Sequence, residues 1–323
     1  MNVMFATNRN GEDDKIAPKK YGIKFNDDHV HGLRFGKASG SLEEFKDEKM
    51  NIETYVDNGD LGSVLMFKEI KESMINEKIP TLVFIHGYNT TFNESIRMAA
   101  LLKDNFEKGG NPMNVVVFSW PSNGSNLYWD YSADRHDAEA SGVAFARALL
   151  KMAKFLKEGE PCGQDLYLMA HSMGNYCLRF TFQEIYKQLR SRLPQLFNKM
   201  FLIAADEDDN AFEREDKFLH LSDACQELYI YFNKHDKALM GSDTTKGNPD
   251  RLGACGPKYP LNIPNKITLI DISKVNSDFL GHNYLENNPR VVADLNAVLS
   301  GKLGQDDIPG RVYDQRKNKF RLV

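Results

Sequence analysis

Hydrophobic positions along the chain fall into two alternating patterns. Short, nearly continuous apolar runs occur at Ser63–Phe67, Thr81–Ile85, Asn114–Ser119, Leu166–Ala170, Met200–Ala205, Glu227–Phe232 and Lys266–Ile272. Runs such as Val115-Val116-Val117-Phe118 do not alternate with polar residues, and that predicts strands of a parallel sheet covered on both faces. Between them, apolar residues return at helical spacing. Phe92–Glu107 follows Thr90 and Thr91 as caps and stops at Gly109-Gly110. Ala138–Lys157 carries Val143, Ala144, Ala148, Leu149, Met152 and Leu156 on one face, Asn175–Leu193 follows Gly174, and Pro289–Leu299 opens on a proline suited to a first turn. Strands alternating with helices predict βαβ units and one α/β domain: a doubly wound, mostly parallel sheet with helices on both faces.

The expected core covers residues 61–300. Residues 1–60 are more polar, with short strands at Val3–Thr7, Tyr21–Phe25 and Val30–Phe35 that pack on or extend the sheet. Two long stretches, Asp206–Gln226 and Met240–Pro264, lack periodicity and are read as loop covers. The basic segment 301–323 is read as a solvated C-terminal tail. No internal repeat is visible.

Composition narrows the class. The 323 residues carry 41 Lys and Arg against 45 Asp and Glu, a formal net charge of −4, which gives no general pull towards nucleic acid or an anionic membrane. No run approaches the ~20 apolar residues of a membrane span. The start MNVMFATNRN lacks the order of a secretory signal, so the expected location is cytoplasmic. Cys162, Cys177, Cys225 and Cys255 are too scattered for a disulfide framework or a zinc site and read as free thiols.

The sharpest chemical signal is Leu166-Tyr167-Leu168-Met169-Ala170-His171-Ser172-Met173-Gly174-Asn175. A buried strand, a serine flanked by small residues two before and two after, and a departing helix make a nucleophile elbow. Upstream, Thr81–Ile85 runs into His86-Gly87-Tyr88-Asn89. There the Tyr88 N–H would hold a substrate oxyanion together with the Met173 N–H, and Gly87 would allow close approach. His86 reads as a structural residue bordering substrate.

On such an elbow the partners follow in the order serine, acid, histidine. Of eight histidines only His220, His235 and His282 follow Ser172. His220 precedes the last core elements and His235 abuts Asp236, which leaves His282, in the loop between the last core strand and the last core helix. Two acids compete. Asp236 ends Leu228–Asp236 past the penultimate strand, Asp206 ends Phe201–Asp206 one strand earlier, and Asp271 is embedded in a strand. The acid would orient the imidazole.

Other constellations are weaker. His29 and His31 face the same way on a strand without a third ligand and read as surface residues. Asp206-Glu207-Asp208-Asp209 lacks the glycine and closing glutamate of a calcium loop and reads as a solvated or capping acidic loop bordering the site. Trp120, Tyr128, Trp129 and Tyr131 are read as pocket wall or packing, and Tyr88 as reaching towards substrate. No phosphate-cradling glycine motif follows a strand, so no cofactor is expected.

With these residues in hand, the chain resembles the α/β-hydrolase superfamily, and within it a largely bacterial family of esterase- or lipase-like hydrolases. The matching stretches are FATNR (5–9), VFIHGYN (83–89), FSWPS (118–122), AHSMGN (170–175), LIAADEDD (202–209), YFNKHDKAL (231–239), RLG (251–253) and GHNY (281–284). Ala205 stands where that family usually has proline. The resemblance implies Ser172, Asp236 and His282 as a triad. The expected activity is hydrolysis of a small ester through an acyl-enzyme. Thioesters, lactones or amides with the same triad, and a non-catalytic binding protein on the same fold, stand as alternatives.

Overall fold

The computed structural model describes residues 1–26, 32–56, 62–123, 128–158, 162–190, 193–243, 250–275 and 280–323; the side chains of 128–130 and 241–243 are also outside the description. His29 and His31, and the side chains of Tyr128 and Trp129, therefore lie outside it.

The strands are β1 (Asn2–Thr7), β2 (Arg9–Gly11), β3 (Tyr21–Phe25), β4 (Arg34–Ser39), β5 (Asn51–Thr54), β6 (Thr81–Ile85), β7 (Asn114–Ser119), β8 (Leu166–His171), β9 (Phe197–Ile203), β10 (Cys225–Phe232), β11 (Ile267–Asp271), β12 (Arg311–Asp314) and β13 (Lys319–Leu322). The helices are α1 (Leu42–Lys46), α2 (Gly62–Asn76), α3 (Phe92–Lys108), α4 (Tyr128–Lys157), α5 (Gly174–Leu189), α6 (Lys237–Asp243), α7 (Leu252–Cys255), α8 (Tyr284–Asn287) and α9 (Pro289–Ser300). Among the described residues, eleven strands form one sheet in the order β12-β13-β11-β10-β9-β8-β6-β7-β1-β4-β5, and β2 pairs with β3 apart from it. Neighbours from β1 through β11 to β13 run parallel, while β4, β5 and β12 are antiparallel edges.

The continuous apolar runs are explained by two separate cores. In β6, Val83 and Ile85 point into the layer beneath α2, α4 and α5, whereas Leu82 and Phe84 point into the layer beneath α1, α3 and α9. Each strand residue alternates in face but finds a hydrophobic layer either way. Helix α3 begins on Thr91 with a capping box to Glu94, which satisfies two of its unpaired N-terminal donors.

Two expectations are corrected, and a third falls partly outside the described residues. Ser63–Phe67 is the start of α2 and not a strand, because Met66, Phe67, Ile70 and Met74 bury one helical face. Of Val30–Phe35, residues 30 and 31 lie outside the described residues, and the strand among the rest is β4, at Arg34–Ser39. Residues 301–323 are no solvated tail. After a 3-10 turn they form β12 and β13, which extend the sheet beside β11, with Arg311 and Lys319 buried against Asp294 and Asp271.

Candidate active site

Loops leaving the carboxyl ends of β6, β8, β9, β10 and β11 carry the residues singled out from the sequence, at the edge where α/β sheets bind ligands. Ser172 sits between β8 and α5 with φ of 51°, a left-handed conformation that costs a non-glycine residue ~1–2 kcal/mol. Its backbone is over-determined. Ser172 N–H donates to Ile203 C=O (3.0 Å), Asp206 N–H donates to Ser172 C=O (3.2 Å), and the Asn175 amide donates to Ala170 and Ser172 carbonyls (3.0 and 3.2 Å).

Two glycines make room for the turn. A Cβ on Gly87 would lie 2.7 Å from Ser172 Cβ, and one on Gly174 would lie 2.6 Å from the carbonyl oxygens of Ile85 and His86. The loop after β6 thus packs backbone to backbone against the serine turn. Asn175 and Tyr176 N–H groups are taken by Ser172 and Met173 carbonyls, which closes the first turn of the helix onto the serine.

Across the cleft, Nδ1 of His282 is 2.7 Å from Oδ2 of Asp236. Asp236 is fully buried, and its Oδ1 accepts from Leu239 N–H at 3.0 Å. Asn233 braces the histidine loop by donating to Gly281 C=O at 2.7 Å. His282 meets the serine turn through His171: its C=O lies 3.3 Å from His171 Nε2, and the two rings are 5.0 Å apart. Burial, and then the neighbouring His282, push His171 down to about 3, so it stays neutral.

Asp206 does not approach His282 in this way. Its Oδ2 accepts from Tyr131 OH at 2.6 Å, and Oδ1 faces Arg251 Nε at 3.4 Å. Asp206 and Glu207 are buried, Asp208 and Asp209 half-buried, and the loop is ion-paired: Arg251 also binds Asp208 (2.8 Å), Arg179 binds Glu207 (3.1 Å), and Lys217 binds Asp208. Arg251 belongs to the RLG stretch, and Leu252 N–H donates to Glu207 C=O while Gly253 N–H donates to Ala205 C=O (2.7 and 2.9 Å). The two long loops are zipped together at the site's rim. Among the described residues no group of His, Cys, Asp or Glu could hold a metal ion.

His86 and Trp120 pack against each other beneath the loop. Both are fully buried, stacked at 5.0 Å with planes 6° apart, and Trp120 Nε1 donates to His86 C=O at 2.9 Å. They support the loop from below and present no surface to substrate. Tyr88 is half-buried and touches Tyr131 edge-on at 5.6 Å.

Three residues escaped the sequence reading. Arg9, fully buried, donates to Ser119 Oγ (3.0 Å), Gly22 C=O (3.1 Å), Ser122 C=O (3.3 Å) and Thr90 C=O (2.7 Å), tying together the loops after β6 and β7. Asp134 accepts from Ser122 Oγ (2.5 Å) and Asn123 N–H (3.0 Å). Tyr284 OH accepts from Ala204 N–H (2.8 Å) and donates to Tyr231 C=O (3.0 Å), pinning the segment after His282 to the ends of β9 and β10. Their signal was the stretches FATNR, FSWPS and GHNY themselves, which carry buried polar residues that need partners.

Comparison with known proteins finds a family, a relative and similar solved structures. An uncharacterised protein of Nostoc sp. is 24% identical over 215 residues, 51% of this chain and 54% of that protein. The chain thus spans about half the length of the curated relative it matches. Solved structures similar to it include Aspergillus fumigatus lipase B, with TM-score 0.40 and 10% identity over 76% of this chain and 59% of that one. A Pyrobaculum calidifontis esterase gives TM-score 0.39 and 9% identity over 76% and 94%. A sequence model of the family described as "Alpha/beta hydrolase of unknown function (DUF900)" matches residues 66–300, and the chain belongs to that α/β-hydrolase family.

Proposed function

We propose that this hydrolase cleaves carboxylic esters of small molecules through an acyl-enzyme on Ser172, with His282 as base and Asp236 as its orienting acid. The observation that carries the reading is the 2.7 Å contact between His282 Nδ1 and the fully buried Asp236, on the loop that packs against the strained serine turn. With Nδ1–H held by the carboxylate, Nε2 is the basic nitrogen.

In the proposed reaction, Ser172 Oγ attacks the acyl carbon as His282 Nε2 takes its proton. The carbonyl electrons move onto oxygen, where Tyr88 and Met173 N–H groups donate to the oxyanion. Collapse expels the alcohol, which takes the proton from His282. Water then attacks the acyl-enzyme, giving its proton to His282, and release of the acid returns that proton to Ser172. The helix start behind Ser172 adds favourable potential for the developing charge.

The test is covalent. A fluorophosphonate should add once to the parent protein, as read by intact mass, leave Ser172→Ala unmodified, and react far more slowly with His282→Ala. A folded parent that takes no adduct overturns the proposal.

A further inference from the structure

Side chains hold the backbone of the loop that carries Tyr88. The loop runs from His86, past the end of β6, to Thr90, just before the capping residue Thr91 of α3. Trp120 Nε1 donates to His86 C=O at 2.9 Å, and His86 Nδ1 donates to Gly87 C=O at 2.8 Å. Thr90 Oγ1 donates to Tyr88 C=O at 3.1 Å, and Asn89 N–H donates to the carboxylate of the fully buried Asp134. Thr90 is gripped in turn. Its N–H donates to Ser122 Oγ at 3.2 Å, and its C=O accepts from Arg9 Nη2 at 2.7 Å.

The geometry of the peptide unit gives these contacts a consequence. In a trans peptide the C=O of one residue and the N–H of the next lie in one plane and point opposite ways. Tyr88 stands between two such planes. The Gly87–Tyr88 peptide carries the N–H that meets the oxyanion in the proposed reaction, and His86 holds it by its carbonyl. The Tyr88–Asn89 peptide is held at both ends, by the Thr90 hydroxyl on its C=O and by Asp134 on its N–H. With both planes fixed, rotation about the Tyr88 Cα cannot swing its N–H aside.

The clamp works against strain. Asn89 has φ of 55°, a left-handed conformation that persists only where its surroundings over-determine it. Asp134 is the strongest of the grips, because hydrogen bonds to a carboxylate are roughly twice as strong as neutral ones. It has one orientation, since it also accepts from Ser122 Oγ at 2.5 Å and Asn123 N–H at 3.0 Å.

We propose that Asp134 and Thr90 are positioning residues for the ester hydrolysis put forward above: together they clamp the Tyr88–Asn89 peptide and so aim the Tyr88 N–H at the oxyanion. Neither touches the reacting atoms. The proposal rests on Ser172 being the nucleophile.

The test compares Thr90→Val, Thr90→Ser and Asp134→Asn with the parent on a short-chain ester. It adds the inhibition constant of a short alkyl trifluoromethyl ketone. Ser172 Oγ adds to the carbonyl carbon of that ketone, the serine proton passes to His282, and the charge is left on the ketone oxygen, where the oxyanion donors act. Thr90→Val and Asp134→Asn should each lower kcat by about 10- to 100-fold. KM should stay within about twofold, and the ketone should bind more weakly by a factor similar to the loss in kcat. Thr90→Ser keeps the hydroxyl and should restore both. A merely structural role lowers the folded fraction, so that kcat falls while the inhibition constant stays that of the parent, and this result overturns the proposal. So does a Thr90→Val or Asp134→Asn variant that keeps the parent's kcat. Should Asp134→Asn fail to fold, Thr90→Val, which keeps the side chain's shape, decides alone. A parent that takes no fluorophosphonate and turns over no ester fails the reading of Ser172 and brings this proposal down with it. A parent that does both while the variants match it overturns the positioning role alone.

Discussion

Oδ2 of Asp236 and Nδ1 of His282 lie 2.7 Å apart, and the carboxylate is buried with Leu239 N–H on its other oxygen. The acid has one orientation before any substrate arrives, and so does the imidazole. Asp236→Asn keeps the shape but lets the amide donate to Nδ1, which selects the wrong tautomer. Turnover of a short-chain ester should fall by about 10³–10⁴ with unfolding temperature little changed. Asp206→Asn should stay within about tenfold of the parent, because Asp206 serves Tyr131 and Arg251. Steady-state kinetics of the two variants side by side checks the assignment of roles.

Gly87 offers a second, steric test. Its missing Cβ would stand 2.7 Å from Ser172 Cβ and 3.2 Å from His171 Nδ1. Neither neighbour can withdraw, since the serine turn is fixed by four backbone and amide hydrogen bonds. Gly87→Ala should push the loop outward and move Tyr88 N–H away from the oxyanion position. We expect a loss of about 10²-fold in kcat and about 1–3 kcal/mol in stability. Activity and urea unfolding measured on the same preparation separate the two effects.

The sheet was legible because both faces are covered. Strands such as β6 and β7 must be apolar at every position, and no polar alternation blurs them. The elbow was legible for a related reason: Gly174, and Ala170 before the serine, are small where the turn meets β6. What could not be read were partnerships between distant polar residues. Arg9 looks like a surface arginine until Thr90, Ser119 and Ser122 close around it. The acids of 206–209 look solvated until the far loop supplies Arg251. Lys319–Leu322 is short and basic, and only its pairing with β11 makes it a strand. Such contacts span tens to hundreds of residues, beyond any local pattern.

Acid sensitivity follows from the buried histidines. Burial first, and His282 second, lower His171 from 6.5 to about 3; burial first, and the Arg9 charge second, lower His86 from 6.5 to about 3. Between those values the unfolded chain holds protons that the folded chain does not. Their contribution is therefore fully present above pH 6.5 and is lost as pH falls towards 3. His171→Gln should flatten the dependence of unfolding free energy on pH over that window by up to about 1.4 kcal/mol per pH unit. Urea titrations from about pH 4 to 7 measure it, and an unchanged slope would mean that His171 takes up its proton in the folded protein.

The C-terminal hairpin makes the last prediction. Arg311 on β12 holds Asp294 on α9 through two contacts, Nε to Oδ1 at 2.6 Å and Nη2 to Oδ2 at 2.8 Å, and both side chains are fully buried. Tyr231 OH, on the strand that leads to Asp236, donates to the same carboxylate at 2.6 Å. Removing only the cation leaves a buried carboxylate with one hydroxyl for company. Arg311→Ala should cost about 3–5 kcal/mol. Replacing both partners with apolar residues, Arg311→Met with Asp294→Leu, removes the charges together, and the buried Tyr231 hydroxyl and the half-buried Gln305 Oε1 then lose their partners. That double variant should recover most of the loss, to within about 1–3 kcal/mol of the parent. Urea unfolding of the two single variants and the double gives the coupling energy directly. A double variant no more stable than Arg311→Ala would show that the hairpin is held by the shape of Arg311 and not by its charge.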